Sequence, residues 1–292
     1  MADYARGFTP IGHSDQGGRP DAMQMQHYRD HVYVGHVFSA GFTVIDARDP
    51  RGLKPRGFYP APPDTWNIHL QAADDLLLVV HAKDLWAQFR QESAYYAGSV
   101  GTRLAGVQRD WSAGVAIYDL AKPAEPRQIS FLPVEGIGVH RLWYPGGRWA
   151  YASEAVADEV ADGLKYTWVF TIAEPANPVS IATFPTPAEA DYARKGGHFG
   201  PHNLHENRPG SFVSDTLIFA TYQNAGIRAV DITDPYRPRE AGALVPPAPD
   251  RIIDPRPGRP KVVQTADVFV TADGIVYATD YNAGLTVAEY TG

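Results

Sequence analysis

The stretch GFTVIDARDPRGLKPRGFYP (41–60) contains the pattern that decides the fold: an apolar strand ending in Asp, a turn with Pro, and a second strand. Apolar β-rich runs bounded by Gly, Pro and Asp are typical of short strands joined by tight turns. Three further copies are GVAIYDLAKPAEPRQISFLP (114–133), YTWVFTIAEPANPVSIATFP (166–185) and GIRAVDITDPYRPREAGALVP (226–246), and a fifth begins with GLTVAEY (284–290). This repetition predicts a repeat architecture.

Each copy is preceded by another apolar or alternating strand. These strands are HVYVGHV (31–37), DLLLVVH (75–81), RWAYASE (148–154), TLIFATY (216–222) and GIVYATD (274–280). A repeat with about four short strands has the size of a propeller blade. We therefore predict an all-β fold, a single five-bladed β-propeller over residues 1–292. Six or seven blades with degenerate repeats, or a β-sandwich with coincidental turns, are the alternatives.

The outer strand missing from the fifth copy is predicted at the other end of the chain. The segment ARGFTPIGHSDQGGRPDAMQ (5–24) reads like KPRGFYPAPPDTWNIH (54–69): a Gly-Phe strand, Pro, a polar loop and the start of the next blade. We expect residues 5–11 to complete the blade begun by residues 264–290. Such closure leaves no open sheet edge between the first and last blades.

Composition excludes several classes of function. The net charge is −7 with no Lys/Arg run, which disfavours a nucleic-acid or membrane partner, and the absence of Cys removes disulfides and thiolate chemistry. No secretory signal, membrane-length apolar run, P-loop, Rossmann fingerprint or G-x-S-x-G motif is present. We expect a cytoplasmic protein with a small-molecule substrate, and the oligomeric state stays open.

The D-x-x-D-P and D-P-Y-R-P turns, preceded by a Gly and an apolar run, resemble those of the LVIVD-repeat β-propellers across the whole chain. More distantly, the His-bearing starts of the blades resemble selenium-binding-protein and carotenoid-oxygenase propellers. The first resemblance implies the fold, and the second implies a metal held by axial histidines. A fold hosts many chemistries, so neither fixes the reaction. The third copy departs from the pattern, with Thr171 in place of Asp.

The segments that begin each blade align as DAMQMQ (21–26), WNIHLQ (66–71), IGVHRL (137–142), GPHNLH (200–205) and TADVFV (265–270). In this alignment the following residues occupy equivalent places: Gln24, His69, His140, His202 and Asp267. Because inner strands of a propeller converge, three His and one Asp predict a site for Zn, Mn, Fe or Ni, with Gln24 contacting substrate. The alternative is histidines that bind water or backbone carbonyls.

Other residues are candidates for supporting roles. His198, His205 and Glu206 belong to the densest histidine cluster and are predicted proton carriers. The insertion at 82–113 is a predicted loop or lid, whose Trp86 and Tyr95 contact an apolar or aromatic substrate. A further set is expected at the far mouth of the channel, most simply as solvated loop residues: His36, His81, Glu154, Tyr222 and Asp280.

Three functions follow from this reading. The first is a metal-dependent hydrolase, lyase or isomerase that uses a divalent transition metal as a Lewis acid with a His or Glu proton carrier. The second is a non-haem iron oxygenase, since mixed His and carboxylate ligation also occurs at such iron sites. The third is a non-enzymatic propeller that binds partners through its faces. We prefer the first.

Overall fold

The computed structural model describes residues 2–84, 110–134, 136, 138–148, 150–154, 167–171, 173, 177, 179–208, 210–255 and 258–292. In this part of the chain the regular structure is β-strand except for helix α1 (Glu189–Tyr192) and a 3-10 turn (Ala193–Lys195). No helix found there is both long enough and apolar enough to span a membrane. The strands are β1 Tyr4–Arg6, β2 Phe8–Ser14, β3 Ala22–Tyr28, β4 His31–His36, β5 Gly41–Asp46, β6 Lys54–Pro60, β7 Thr65–Trp66, β8 Leu70–Ala73, β9 Leu76–Lys83, β10 Gly114–Asp119, β11 Arg127–Pro133, β12 Val139–Trp143, β13 Tyr151–Glu154, β14 Trp168–Thr171, β15 Val179–Thr183, β16 Leu217–Thr221, β17 Ile227–Asp231, β18 Arg239–Val245, β19 Thr265–Val270, β20 Ile275–Asp280 and β21 Gly284–Tyr290.

The strands form antiparallel sheets in which sequence neighbours are also neighbours in space. The orders are β3-β4-β5-β6, β19-β20-β21-β2, β1-β18-β17-β16, and β9-β10-β11 with β7 and β8 both paired to β9; β12-β13 and β14-β15 are separate pairs. A four-stranded antiparallel meander is the form of a propeller blade. The chain is thus all-β and propeller-like, as the repeats predict.

The chain divides into two compact units. Unit 1 comprises Met1–His13, Leu164–Ile252 and Pro260–Gly292, and unit 2 comprises Ser14–Gly163 and Ile253–Arg259. Each has its own apolar core between neighbouring sheets. In unit 1 the core includes Phe8, Phe219, Ile227, Leu244 and Val276. In unit 2 it includes Tyr33, Phe42, Leu70, Leu77 and Tyr118.

The N-terminal strand lies where the sequence predicts, with shifted bounds. Strand β2, which begins at Phe8, neighbours β21. Residues Tyr4–Arg6 instead pair with β18, the outer strand of a different sheet. Gly7, at φ +68°, separates β1 from β2, and this left-handed conformation is one that Gly adopts readily. The prediction of one strand over 5–11 is therefore wrong in its bounds.

In four of the repeats the third strand ends in Asp or Thr, and this side chain forms a turn with the residues that follow it. The carboxylates of Asp119 and Asp231 accept the backbone N–H two residues on, at 2.8 Å in both cases. In the third copy the Thr171 hydroxyl accepts the N–H of Ala173 at 3.3 Å. Threonine replaces aspartate there because either side chain can make this turn.

A glycine begins, or directly precedes, the third strand of four of the repeats. At Gly41, Gly114 and Gly226 a Cβ would collide with a carbonyl oxygen of the outer strand, and φ lies between +79° and +156°. Both the space and the backbone conformation therefore require glycine. Because Gly284 has the same place in β21, these residues give a common register for comparing the sheets.

Candidate functional site

The inner strands are irregular at the places where the candidate residues occur. Three of them shift register by one residue, which is the mark of a β-bulge, and bulges re-aim side chains. The shifts fall between Ala22 and Met25 in β3, between Val139 and Arg141 in β12, and between Thr265 and Val268 in β19. The second inner strand is interrupted instead, and His69 lies between β7 and β8.

Pairing with the second strand of each sheet corrects the sequence alignment. Five inner residues each pair with the residue two places before one member of the set His36, His81, Glu154, Tyr222 and Asp280. The pairs are Met25↔Val34, Leu70↔Val79, Leu142↔Ala152, Leu204↔Ala220 and Val268↔Ala278. The residues immediately before these form one equivalent set, the polar row: Gln24, His69, Arg141, Asn203 and Asp267. His140 and His202 lie one position earlier, where the other three sheets carry Met23, Ile68 and Ala266.

The residues that end the second strands lie beside the starts of the inner strands, because the two strands are antiparallel. His36 pairs with Ala22, and Asp280 pairs with Thr265. These side chains are also buried: His36 is 0%, His81 5% and Asp280 3% exposed. Their interpretation as solvated residues at a far mouth is therefore wrong.

Burial shifts two of these groups in opposite directions. It raises the pKa of Asp280 to about 6, although backbone N–H groups of Gln264, Asn282 and Ala283 donate to the carboxylate and lower it. It lowers the pKa of His81 to about 4, and the ring contacts the Ser112 hydroxyl at 2.9 Å. Each group is favoured in its neutral form for the same reason, desolvation.

In unit 2, side chains of the second sheet accept hydrogen bonds from the main chain of β12 and the turn after it. His69 Nδ1 accepts the Leu142 N–H at 3.0 Å, and Gln71 Oε1 accepts the Tyr144 N–H at 2.6 Å. Because Nδ1 of His69 accepts, the proton of the neutral ring is on Nε2. A metal at His69 would have to displace the Leu142 N–H from Nδ1 or the proton from Nε2. His69 therefore does not fit the predicted ligand role.

In unit 1, His202 has the opposite arrangement. Its Nδ1 lies 2.7 Å from the Ala266 carbonyl oxygen, which only accepts, so Nδ1 carries the proton. The Nε2 lone pair then faces the Tyr281 hydroxyl at 3.2 Å. An imidazole that donates Nδ1–H to a carbonyl is the arrangement found at metal-ligating histidines. His202 therefore fits a ligand or a proton acceptor.

Asp267 lies near the same strand contact. Its Oδ1 accepts a hydrogen bond from Asn203 Nδ2 at 2.8 Å, and its backbone N–H donates to Thr279 Oγ1 at 3.0 Å. Both Asp267 and Asn203 are half-buried. In this contact a neutral amide orients the carboxylate.

The predicted proton carriers are engaged in other contacts. His205 accepts the Val270 N–H at Nδ1 (3.1 Å) and has Nε2 2.9 Å from the Phe212 carbonyl oxygen, while burial lowers its pKa. Glu206 accepts from Arg208 Nε at 2.9 Å. The main chain of His198 exchanges hydrogen bonds with the Gln264 amide at 2.8 and 3.2 Å.

The remaining candidates fall into three groups. Gln24 is only 6% exposed, and its Oε1 has no hydrogen-bond partner among the described residues. His140 is half-buried on β12. Trp86, Tyr95 and most of the predicted lid at 82–113 lie outside the described residues, although Ala82 and Lys83 still belong to β9.

His69 and His140 belong to unit 2, and His202 and Asp267 belong to unit 1. Over the described ranges, no three His, Asp or Glu side chains form a group that could hold a metal ion. The four-residue metal site therefore stays a prediction.

Sequence reasoning missed Tyr281, Asn203 and Arg141. Asn203 and Arg141 enter the polar row only through the pairing of the inner segments with the second strands, which the sequence does not show. Nothing in the sequence marks Tyr281, which becomes a candidate only through its contact with His202.

No family model and no curated protein matches this chain. Among solved structures it is similar to a functionally unknown protein from Desulfotomaculum acetoxidans DSM 771, with 12% identity over 88% of this chain and 62% of that one, at a TM-score of 0.28. It is also similar to a hypothetical selenium-binding protein from Sulfolobus tokodaii, with 12% identity over 89% of this chain and 57% of that one, at 0.27. The chain thus spans less than two thirds of the length of either protein. These distant likenesses concern a propeller-like fold alone.

Proposed function

We propose that this chain is a five-bladed propeller of the LVIVD-repeat type. The support is the repeat itself: four glycine-led third strands, the Asp or Thr turn after each of several of them, and the β2 strand beside β21. A cytoplasmic location also remains our prediction.

We further propose that it is a metal-dependent enzyme acting on a small organic substrate as a hydrolase, lyase or isomerase. The observation that carries this proposal is the hydrogen bonding of His202, whose Nδ1–H donates to the Ala266 carbonyl and whose Nε2 therefore carries the lone pair, which faces the Tyr281 hydroxyl at 3.2 Å. His202 and Asp267 fit the donor set of a divalent transition metal, and His140 stays a predicted ligand.

A bound metal of this kind supplies Lewis acidity and a water of lowered pKa. The chain's own residues orient the site. The Ala266 carbonyl fixes the tautomer of His202, Asn203 orients the carboxylate of Asp267, and the Tyr281 hydroxyl holds a proton beside Nε2. Tyr281 is 7% exposed, so this hydroxyl is largely shielded from bulk water.

Elemental analysis of protein purified without added metal tests the proposal. We expect about one transition metal per chain, and loss of most of it in His202→Ala with the fold retained by circular dichroism. His13→Ala is the matched control, because His13 is an exposed histidine of the same unit. Metal-free wild-type protein, or equal metal in His202→Ala and wild type, would overturn it. Oxygen consumption with a bound iron would favour the oxygenase alternative.

A specific observation favours a second candidate, a non-enzymatic binding scaffold. His69 and His205 both use Nδ1 to accept a main-chain N–H of the next inner strand. Histidines with that role hold neighbouring strands together and need no ligand. The scaffold predicts protein without stoichiometric metal, so the same elemental analysis separates the two functions.

A further inference from the structure

The Tyr281 hydroxyl lies against the nitrogen of His202 on which the proposed site depends. Nδ1 of His202 donates to the Ala266 carbonyl at 2.7 Å, so the lone pair of the neutral ring is on Nε2. The hydroxyl of Tyr281 is 3.2 Å from that Nε2 and has a proton to donate. The lone pair is therefore already engaged in a hydrogen bond, and any ligand of Nε2 has to displace the hydroxyl.

The histidine side of this contact is held in place. The backbone N–H of His202 donates to the Thr221 carbonyl at 3.0 Å. The Ala266 carbonyl that accepts from Nδ1 also accepts from the Thr221 hydroxyl at 3.0 Å, and both of these neighbours are fully buried. Since the imidazole is fixed at its backbone and at its ring, exposure of Nε2 requires movement of Tyr281 rather than of His202.

The tyrosine side is placed by the turn that follows β20. The Asp280 carboxylate accepts the backbone N–H groups of Asn282 and Ala283, at 2.7 Å each, and the Tyr281 N–H donates to the Gln264 carbonyl at 3.2 Å. These hydrogen bonds fix the backbone on both sides of the phenol. The two rings meet edge to face, with centroids 6.1 Å apart and planes at 87°. Separation of the hydroxyl from Nε2 is therefore a movement of the Tyr281 side chain on a fixed turn.

We propose that Tyr281 is a gate on His202. Its hydroxyl occupies Nε2 in the resting protein and gives way to a ligand that gains more from the lone pair than the hydrogen bond does, such as a divalent transition metal. The gate weakens binding at Nε2 by the contribution of one neutral hydrogen bond, about two- to tenfold. That the ligand is a metal rests on the proposed function, whereas the gating of the lone pair does not.

Carbethoxylation by diethyl pyrocarbonate measures the gate without a metal. The Nε2 lone pair attacks a carbonyl carbon of the reagent, ethyl carbonate leaves, and the ring loses its Nδ1 proton to water. Tyr281→Phe keeps the ring and removes the hydroxyl, so the carbethoxylation rate of His202, followed by site-resolved mass spectrometry, should rise about two- to tenfold. His13, an exposed histidine of the same unit, is the internal reference, and its rate should not change.

Tyr290→Phe is the matched control. Tyr290 is a half-buried tyrosine of the same unit, and its ring packs on Phe8 and Phe219 with centroids 5.1 Å apart in both cases. This variant should leave the carbethoxylation rate of His202 at the wild-type value. An equal rate in Tyr281→Phe and wild type, or an equal rise in both tyrosine variants, overturns the gate.

Calorimetric titration of metal-free, tag-free protein with Zn²⁺ connects the gate to the proposed site. Tyr281→Phe should bind Zn²⁺ about two- to tenfold more tightly than wild type, and it should have no effect when combined with His202→Ala. Equal affinity overturns the gate toward a metal, and weaker binding does so by showing that the phenol is itself a ligand. If neither protein binds Zn²⁺, the proposed enzyme fails, and the carbethoxylation rates alone decide the gate.

Discussion

The two units build the starts of their inner strands in the same way and then use histidine in opposite ways. In unit 2, His69 Nδ1 accepts an N–H of the next inner strand, whereas in unit 1 His202 Nδ1 donates to a carbonyl. The two residues differ by one position in the common register. Strand alternation turns successive side chains to opposite faces, so a single-residue shift changes the role of the same residue type.

The residues His81 and Asp280 allow a second comparison between equivalent positions of the two units. His81 in unit 2 and Asp280 in unit 1 each lie on a second strand and pair with the glycine that starts the third. Burial disfavours charge on each, which lowers one pKa and raises the other. Equivalent backbone positions thus give the units opposite responses to pH.

The largest expected effect tests the glycine backbone conformation that occurs at the start of the third strand in both units. Gly226→Ala should destabilise the protein by more than about 3 kcal/mol, because its Cβ would collide with the Leu244 carbonyl oxygen and φ is +79°. Gly210→Ala is the control: its φ is +80° with nothing near the added Cβ, so about 1 kcal/mol is expected. Urea denaturation measures both. Equal losses would contradict the common register, and Gly114→Ala in unit 2 should resemble Gly226→Ala.

The next effect separates the two histidines. His69→Ala leaves the Leu142 N–H without its acceptor in a buried place, and should cost about 2–4 kcal/mol. His202→Ala removes a half-buried ring from a carbonyl that tolerates the loss better, so about 1 kcal/mol is expected. Thermal or urea unfolding of both variants checks the difference. A greater loss of stability in His202→Ala than in His69→Ala would contradict the hydrogen-bonding roles assigned to the two histidines.

The smallest expected effect is the pH dependence of the free energy of unfolding. For Asp280 the folded pKa of about 6 exceeds the unfolded value of 3.8, so the folded state holds an extra proton between them and stability rises as pH falls from 6 to 4. For His81 the folded pKa of about 4 is below the unfolded 6.5, so stability falls as pH drops from 6.5 to 4. Each slope is at most about 1.4 kcal/mol per pH unit.

Comparison of unfolding midpoints between pH 4 and 7 isolates these slopes. The stability of wild type relative to Asp280→Asn should decrease as pH rises from 4 to 6, and that relative to His81→Gln should increase. Two slopes of the same sign would show that burial does not govern both groups.

The all-β repeat could be predicted from the sequence because Gly, Asp and Pro mark every turn. The axial alignment could not be predicted in the same way, because histidine identity does not determine strand register. Register depends on backbone pairing, and the bulges at β3, β12 and β19 insert a residue that composition does not reveal. The alignment that places His140 and His202 beside Gln24, His69 and Asp267 is therefore wrong by one residue.

Burial was the other quantity that the sequence did not supply. The sequence predicts His36 and Asp280 to be solvated because they end strands, yet each is buried beside the antiparallel start of the inner strand. Polar side chains at strand ends can be buried where polar partners lie beside them. For His36 these are the Thr43 hydroxyl, 2.7 Å from Nε2, and the Asp21 carboxylate, 3.2 Å from Nδ1. Tyr281 illustrates a contact that only three-dimensional packing reveals.

The claim on which the rest depends is that His202 and His69 carry their protons on different nitrogens. Long-range ¹H–¹⁵N correlation spectra of histidine-labelled protein at neutral pH, assigned with the two alanine variants, measure this directly. We predict the Nδ1–H tautomer for His202, with an unprotonated or metal-bound Nε2, and the Nε2–H tautomer for His69. The same tautomer at both positions would contradict the account.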